Sequence, residues 1–200
     1  MNKTNLRYIT SIALLVALAV SLKVLVRIPL VAFGGMVKDI NPSPALIMYA
    51  GIAFGPLAGG IVGALVDFFA WLIAPMGAYM PLYTITNALM GIIPALFFMS
   101  DRAKKLSTFN YKETSEKVKT YARVCIAVLV SHIICSSLLN TIITILLYGS
   151  TTAWIRAAAN LITMPIYCVI TCVLYRATTR IHVPVRCLLY TSPSPRDRSL

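Results

Sequence analysis

One carboxylate, Asp67, is the only charged side chain between Pro44 and Phe98, in a run that is otherwise apolar, small or aromatic. A charged side chain at the centre of a bilayer costs roughly 2.5–3.5 kcal/mol on insertion scales, so it faces a protein interior or a water-filled cavity. The chemistry open to it there is ion pairing with Lys or Arg, or coupling to a transported ion. Asp67 is therefore the first candidate for a polar site inside the protein.

Basic and amide side chains accompany Asp67 on the half of the protein that the charge pattern places outside the cell. They are Lys23, Arg27, Lys38, Asn87, Asn140 and Arg156. Two interpretations remain open. In the first, Asp67 pairs with a cation and the other cations lie at the lipid headgroups. In the second, an outward pocket of net positive charge holds an anionic ligand, and Trp71, Tyr79 and Tyr83 stack on a flat ring of that ligand.

The elements that must position these residues are membrane helices. The chain is 58% hydrophobic and 12% charged, with mean hydropathy +0.81, too few polar residues to cover a soluble domain. Long apolar runs without alternation favour helices over a barrel. Gly55-Pro56 divides the run from Pro44 to Ala74, which is too long for one span. We predict an all-α membrane protein of six transmembrane helices, at about 6–28, two within 44–74, 81–99, 121–147 and 152–178.

The distribution of Lys and Arg orients these helices. Outside the last 14 residues, Lys23, Arg27, Lys38 and Arg156 fall on one side and the other 12 on the opposite side. The positive-inside rule therefore places both termini and the basic loop 100–121 in the cytoplasm. Acidic residues interrupt that loop, which favours an inner-leaflet anchor over nucleic-acid binding. We expect a multi-pass protein of a prokaryotic cell (inner) membrane.

Small residues recur at helical spacing in two places. Four glycines lie in the bilayer and precede no Gly-Lys-Ser/Thr, so they predict helix packing and not a P-loop. They are Gly55, Gly59, Gly60 and Gly63. Ala13 and Ala17 form a similar pattern on the first helix. From spacing alone, contact with a neighbouring helix of the same chain is the better interpretation; a flat face for another membrane subunit is the alternative.

Catalytic and metal-binding patterns are weak. Cys168 and Cys172 share a helix face, but no His or carboxylate lies nearby at ligand spacing, so we expect no metal and no cofactor. A membrane enzyme would need paired carboxylates, a metal set or a Ser–Lys dyad, and His132 has only Cys135 near it. A small ion-coupled carrier using Asp67 is a further alternative, although such carriers often show internal repeats and none is evident.

The C-terminal stretch differs in character from the rest. Cys187-Leu-Leu-Tyr-Thr-Ser-Pro-Ser-Pro-Arg-Asp197 back-translates to a string that resembles a transposase adapter used in short-read sequencing. We therefore expect one transmembrane domain over residues 1–186, followed by a non-native disordered tail at 187–200. The alternative is a natural Pro/Ser tail, and an independent genome assembly of the locus would distinguish the two.

An ordered set of motifs resembles the substrate-binding (S) component of energy-coupling factor (ECF) vitamin transporters, closest to the folate branch. The resemblance covers residues 8 to about 180. The motifs are Ala13-Leu-Leu-Val-Ala17, Pro44-Ala-Leu-Ile-Met-Tyr-Ala-Gly51, Phe54-Gly-Pro56, Gly60-Ile-Val-Gly-Ala-Leu-Val-Asp67, Pro75-Met-Gly-Ala-Tyr-Met-Pro81, and Leu139-Asn-Thr141 with Tyr148-Gly149 and Arg156.

The resemblance implies a six-helix bundle with an extracellular-side pocket and no enzymatic activity of its own. It implies a protein that binds a vitamin, most similar to folate, and docks on a transmembrane (T) component carrying two ATPase subunits. Ala13 and Ala17 would then contact the T component. The substrate-binding residues would be Lys38, Asp67, Tyr79, Tyr83, Asn140 and Arg156. The less aromatic stretch from Ala78 to Tyr83 leaves another vitamin or a modified pterin open.

Overall fold

The helices follow the apolar runs of the sequence. The protein is described here by a computed structural model covering residues 3–32, 35–75, 78–105, 115–148 and 150–180. The predicted tail at 187–200 lies outside these residues. The elements in chain order are α1 (Lys3–Leu25), β1 (Ile28–Ala32), β2 (Gly35–Ile40), α2 (Ser43–Phe54), α3 (Pro56–Ile73), α4 (Pro81–Lys105), α5 (Ser115–His132), a π-helical segment (Ile133–Leu139), α6 (Asn140–Tyr148) and α7 (Ser150–Arg180).

Five stretches of the described helices are long and apolar enough to cross a membrane. They are Tyr8–Leu25, Pro56–Ile73, Pro81–Met99, Thr120–Leu147 and Ala153–Ala177. The fourth joins α5, the π-helical segment and α6 into one rod, while α2 is a shorter apolar helix of 12 residues. The mainly helical architecture is confirmed; the number of spans and the side of the termini stay predictions.

A β-hairpin stands where the sequence predicted the end of a helix followed by a loop. Helix α1 ends at Leu25, and not near residue 28, because a residue before proline is disfavoured in the helical region and Ile28 precedes Pro29. Strands β1 and β2 pair antiparallel, with an irregularity between Leu30 and Val31. Strand β2, which carries Lys38, packs against α7.

The break between α2 and α3 depends on one glycine. Gly55 has φ 108°, a conformation that L side chains rarely adopt, and its N–H donates to the carbonyl of Gly51. Pro56 then begins α3, where its missing N–H leaves no unmade helical bond. The sequence prediction of a split at Gly55-Pro56 is confirmed.

Glycines bring the backbones of α2, α3 and α4 into direct contact. A Cβ added to Gly59 would meet the carbonyl of Gly91 on α4 and lie 2.7 Å from the Cα of Gly51 on α2. A Cβ added to Gly63 would meet the carbonyl of Asn87. The prediction that these glycines serve helix packing is confirmed for this stretch. The close approach at Gly63, which lies one turn before Asp67 on α3, also holds Asn87 of α4 against α3.

Gly63→Ala is expected to disrupt this contact, whereas Gly60→Ala is expected to be tolerated. At position 63 the methyl group collides with the backbone of Asn87, but at position 60 it meets the side chain of Ile92 at 3.1 Å and reaches backbone, the carbonyl oxygen of Ala88, only at an ordinary 3.9 Å. Overpacking against backbone costs about 1–3 kcal/mol or more. The apparent melting temperatures of both variants in detergent test this, and equal melting temperatures would contradict the assigned contact.

The burial pattern of α1 differs from what residue spacing alone indicated for Ala13 and Ala17. Val16, Ala19 and Val20 of α1 are buried in a core cluster with residues of α2 and α3. Ala13 and Ala17 are instead exposed, beside Leu14 and Leu18, which are 74% and 51% exposed. Within the described structure the two alanines therefore do not mediate contact with another helix, because the bundle packs on the other side of α1.

Candidate ligand-binding site

Asp67 of α3 accepts three hydrogen bonds from two neighbouring helices. Its Oδ1 lies 2.6 Å from Lys23 Nζ on α1 and 2.8 Å from Asn87 Nδ2 on α4. Its Oδ2 accepts from Thr84 Oγ1 of α4 at 2.7 Å. A desolvated carboxylate needs such donors, and the three bonds join α1, α3 and α4 at one point.

The ion pair shows one of the two roles that the sequence left open for Asp67, and leaves a contact with the ligand as a prediction. The side chains of Lys23 and Asp67 are 25% and 14% exposed, so both are largely removed from solvent. Asp67 holds a neighbouring cation in place, as the first interpretation expected. An ionised carboxylate offers about four acceptor positions, so Oδ2 retains room for one further donor.

Tyr79 extends this network toward the segment between α3 and α4. Thr84 directs its proton to Asp67, so the hydroxyl of Tyr79, 2.8 Å from Thr84 Oγ1, is the donor in that contact. The Tyr79 ring packs edge-on against Phe68 and lies 5.1 Å from the ring of Trp71. The segment is thus attached to α3 by ring contacts and to α4 by a hydrogen bond.

A cavity of about 260 Å³ opens beside this network. Its described lining comprises Asp67, Trp71, Ala78, Tyr79, Met80, Tyr83 and Arg156. Arg156 reaches it from the beginning of α7, and its Nε is buried with no hydrogen-bond partner among the described residues. A buried guanidinium N–H without a partner is costly, so this cavity has a donor available for an anionic or carbonyl oxygen.

A second cavity of about 200 Å³ shares Asp67 and Trp71 with the first. Its described lining comprises Lys23, Arg27, Asp39, Asn41, Asp67, Ala70, Trp71 and Ala74. Each cavity alone is smaller than the roughly 300–1,000 Å³ of typical small-molecule sites, and the two together reach that range. Their charged lining residues are three cations and two carboxylates, which leaves one net positive charge.

Four of the predicted substrate-binding residues line the first cavity together: Asp67, Tyr79, Tyr83 and Arg156. Lys38 lies on β2, opposite Leu30, and its side chain is outside the description. Asn140 is absent from the described lining of both cavities, and its Oδ1 accepts from Thr86 Oγ1 at 3.0 Å. The structure thus gives Asn140 a helix-joining contact between α6 and α4.

Several polar residues of the site were not predicted as substrate contacts. The sequence indicates Lys23 only as an outer cation, and Thr84 carries no signal because a threonine in an apolar helix is common. Asp39 and Asn41 lie at the end of the hairpin, which the sequence did not predict. The four-residue spacing of Lys23 and Arg27 was the one sequence sign of the second cavity, because it places both on one helix face and both line that cavity.

The chain matches a family of transporter components over almost all of its described residues. The model of the family described as "ECF-type riboflavin transporter, S component" matches residues 3–180. The folate transporter FolT of Clostridium novyi (strain NT) is 38% identical over 56 residues, which are 28% of this chain and about a third (33%) of that protein's length.

Two solved structures share the fold. The crystal structure of FolT bound with folic acid has a TM-score of 0.62 at 22% identity, covering 84% of this chain and 92% of that one. The structure of the S component of a bacterial ECF transporter has a TM-score of 0.61 at 25% identity, covering 90% and 98%. With the family match over nearly all described residues, these findings confirm the resemblance: the chain belongs to the S-component family of ECF-type transporters, a family of transporter components.

Proposed function

We propose that this protein is the vitamin-binding membrane subunit of an ECF-type importer, and that its vitamin is folate. The observation that carries the ligand class is Arg156, which lines a cavity together with Trp71, Tyr79 and Tyr83 and whose Nε is buried with no partner among the described residues. A flat ring can stack on the aromatic side chains while an oxygen of the ligand accepts from the guanidinium.

The charge of the site favours an anionic vitamin. Folate combines a planar pterin with two carboxylates, and the two cavities carry one net positive charge in their described lining. The pterin edge, which has N–H donors, suits the open acceptor position of Asp67 Oδ2. The names of the FolT relative and of the FolT structure with folic acid support the same ligand.

Riboflavin is the second candidate, because the matching family is described by that vitamin. Its flavin ring would suit the same aromatic wall, but it has no carboxylate to partner Arg156. Titration calorimetry of the purified protein with each vitamin separates the two. Heat with folate and none with riboflavin supports the proposal; the reverse result, or no folate binding at micromolar concentration, refutes the folate assignment and leaves the family unaffected.

We infer how the importer assembles from the exposed face of α1. Its exposed alanines, Ala13 and Ala17, sit between exposed leucines and form a flat apolar surface that a second membrane protein can approach closely. We assign this surface to the T component, which carries two ATPase subunits and supplies the energy of transport. In this arrangement both termini lie in the cytoplasm of a prokaryote, and the two cavities open outward across its inner membrane.

An ion-coupled carrier is the less favoured mechanism. A coupling carboxylate has to bind and release its ion, but Asp67 is engaged by Lys23, Thr84 and Asn87. The family assignment also favours a subunit of an ATP-driven importer. Uptake driven by a proton gradient in cells without any ATPase partner would reverse this preference.

The two tryptophans provide a direct test of where the vitamin binds. Trp71 lines both cavities, whereas Trp154 is 69% exposed and lines neither in the described structure. We expect folate to quench the fluorescence of the protein, and Trp71→Phe to remove most of that quenching. The matched Trp154→Phe variant should retain it, and a quenching that depends on Trp154 instead would place the ligand elsewhere.

A further inference from the structure

Three cysteines meet at the contact between α5 and α7. Cys168 and Cys172 are one helical turn apart on α7, and Cys125 approaches them from α5. The three sulfur atoms all lie within 4.8 Å of one another, and the Cys125 and Cys172 sulfurs are 3.4 Å apart. The sequence indicated only the Cys168 and Cys172 pair, because the third sulfur comes from a helix more than 40 residues away.

The spacing of the sulfurs suits a shared metal ion. An ion bound at ~2.3 Å from each of three sulfurs in one plane requires the sulfurs to be ~4.0 Å apart. A disulfide would require ~2.05 Å, which is well below the 3.4 Å between Cys125 and Cys172. The cysteines therefore form an open triangle of free thiols that a metal ion could close with small side-chain movements.

The surroundings of the triangle select a soft ion. Cys168 and Cys172 pack against the core cluster that contains Val124 and Val128, and the rings of Tyr121 and Tyr175 meet nearby with centroids 6.2 Å apart. Among the described residues no carboxylate or imidazole joins the three sulfurs. Sulfur ligands in apolar surroundings favour Cu(I) and similar thiophilic ions over Mg²⁺ or Ca²⁺, which require oxygen ligands.

We propose that Cys125, Cys168 and Cys172 form a binding site for a soft thiophilic metal ion, represented by Cu(I). Each cysteine that coordinates the ion loses its thiol proton to water and forms one sulfur–metal bond, with no change in oxidation state. The exposed Arg176 lies one turn beyond Cys172 on α7 and can offset the negative charge of the complex.

This site is separate from the candidate vitamin site. Cys172 lies 16 residues after Arg156 on the same helix, which at 1.5 Å per residue places it about 24 Å away along the axis. Metal binding can therefore be measured independently of any vitamin.

The test is a titration of the purified full-length protein in detergent with Cu(I), in competition with the chelator bathocuproine disulfonate under reducing conditions. We expect one tightly held Cu(I) per protein and an X-ray absorption spectrum with two or three sulfurs at ~2.3 Å. Cys125→Ser, Cys168→Ser and Cys172→Ser should each weaken retention at least tenfold. Size-exclusion profiles and melting temperatures establish that each variant is folded.

Cys135→Ala is the matched control, since it removes a buried cysteine that lies outside the triangle. It should leave the stoichiometry and the affinity unchanged. The proposal is overturned if Cu(I) retention follows Cys135, or if folded variants of the triangle hold Cu(I) as tightly as the parent. A Cys125–Cys172 disulfide in the freshly reduced protein would overturn it as well.

Discussion

Arg156→Ala is expected to weaken folate binding roughly 10–100-fold. The buried Nε of the half-buried Arg156 has no partner among the described residues, so an anionic oxygen of the ligand would gain a charge-assisted bond worth about 1.5–3 kcal/mol. Each 1.4 kcal/mol corresponds to about tenfold in affinity. Titration calorimetry measures the change, and Arg156→Lys should recover part of the loss because it restores the charge without the planar fork.

Arg176→Ala is the matched control on the same helix. Arg176 is exposed near the end of α7, about 30 Å along the axis from Arg156, and its loss should leave folate affinity unchanged. Uncharged riboflavin provides a second comparison, because any binding of it should be insensitive to Arg156. Unaltered folate affinity in Arg156→Ala would place this residue at the lipid headgroups and not in the site.

Lys23→Met is expected to destabilise the protein by about 2–4 kcal/mol. Removing one partner of a largely buried ion pair leaves the other charge without compensation, and the Asp67 side chain is only 14% exposed. The apparent melting temperature in detergent should fall by several degrees. Binding of the vitamin should weaken too, because Asp67 and Lys23 both line the second cavity.

Asp67→Asn should rescue much of this loss when combined with Lys23→Met. The amide carries no charge, and its oxygen can still accept from Thr84 or Asn87. The double variant should therefore melt above the value that the two single losses predict when added together. Strictly additive losses would show that Lys23 and Asp67 do not stabilise each other, and would contradict the ion pair.

The helices were predictable because each depends on local sequence. Apolar runs determine where they lie, Gly55-Pro56 ends one and begins the next, and Gly59 and Gly63 indicate close packing. The sequence did not predict the hairpin because Ile28–Ala32 continues the apolar run of α1, with Pro29 as its one sign of a helix end. Strand β1 also depends on pairing with β2, and the sequence pattern of one strand does not reveal its partner.

The site was predictable in its residue types but not in its pairing. Asp67, Tyr79, Tyr83 and Arg156 carried the signal, since each is unusual in a membrane span or at its edge. Which cation would meet Asp67 depends on how α1 and α3 are rotated about their axes.

The contact between Asn140 and Thr86 was not predictable for a similar reason. Asn140 follows directly on the π-helical segment Ile133–Leu139, where the wider turn changes the face that later residues present. The residue spacing of a regular helix therefore does not predict which face of the helix carries Asn140.

The Lys23–Asp67 pair also has a consequence for how the chain is inserted during synthesis. Helix α3 enters the bilayer carrying an acid that alone costs about 2.5–3.5 kcal/mol. Lys23 precedes that acid by 44 residues, so α1 reaches the membrane first and its ammonium is in place when Asp67 arrives. The order of the helices thus provides a partner for the acid at the time of its insertion. A circularly permuted chain that begins at α2 would have to insert α3 with Asp67 uncompensated.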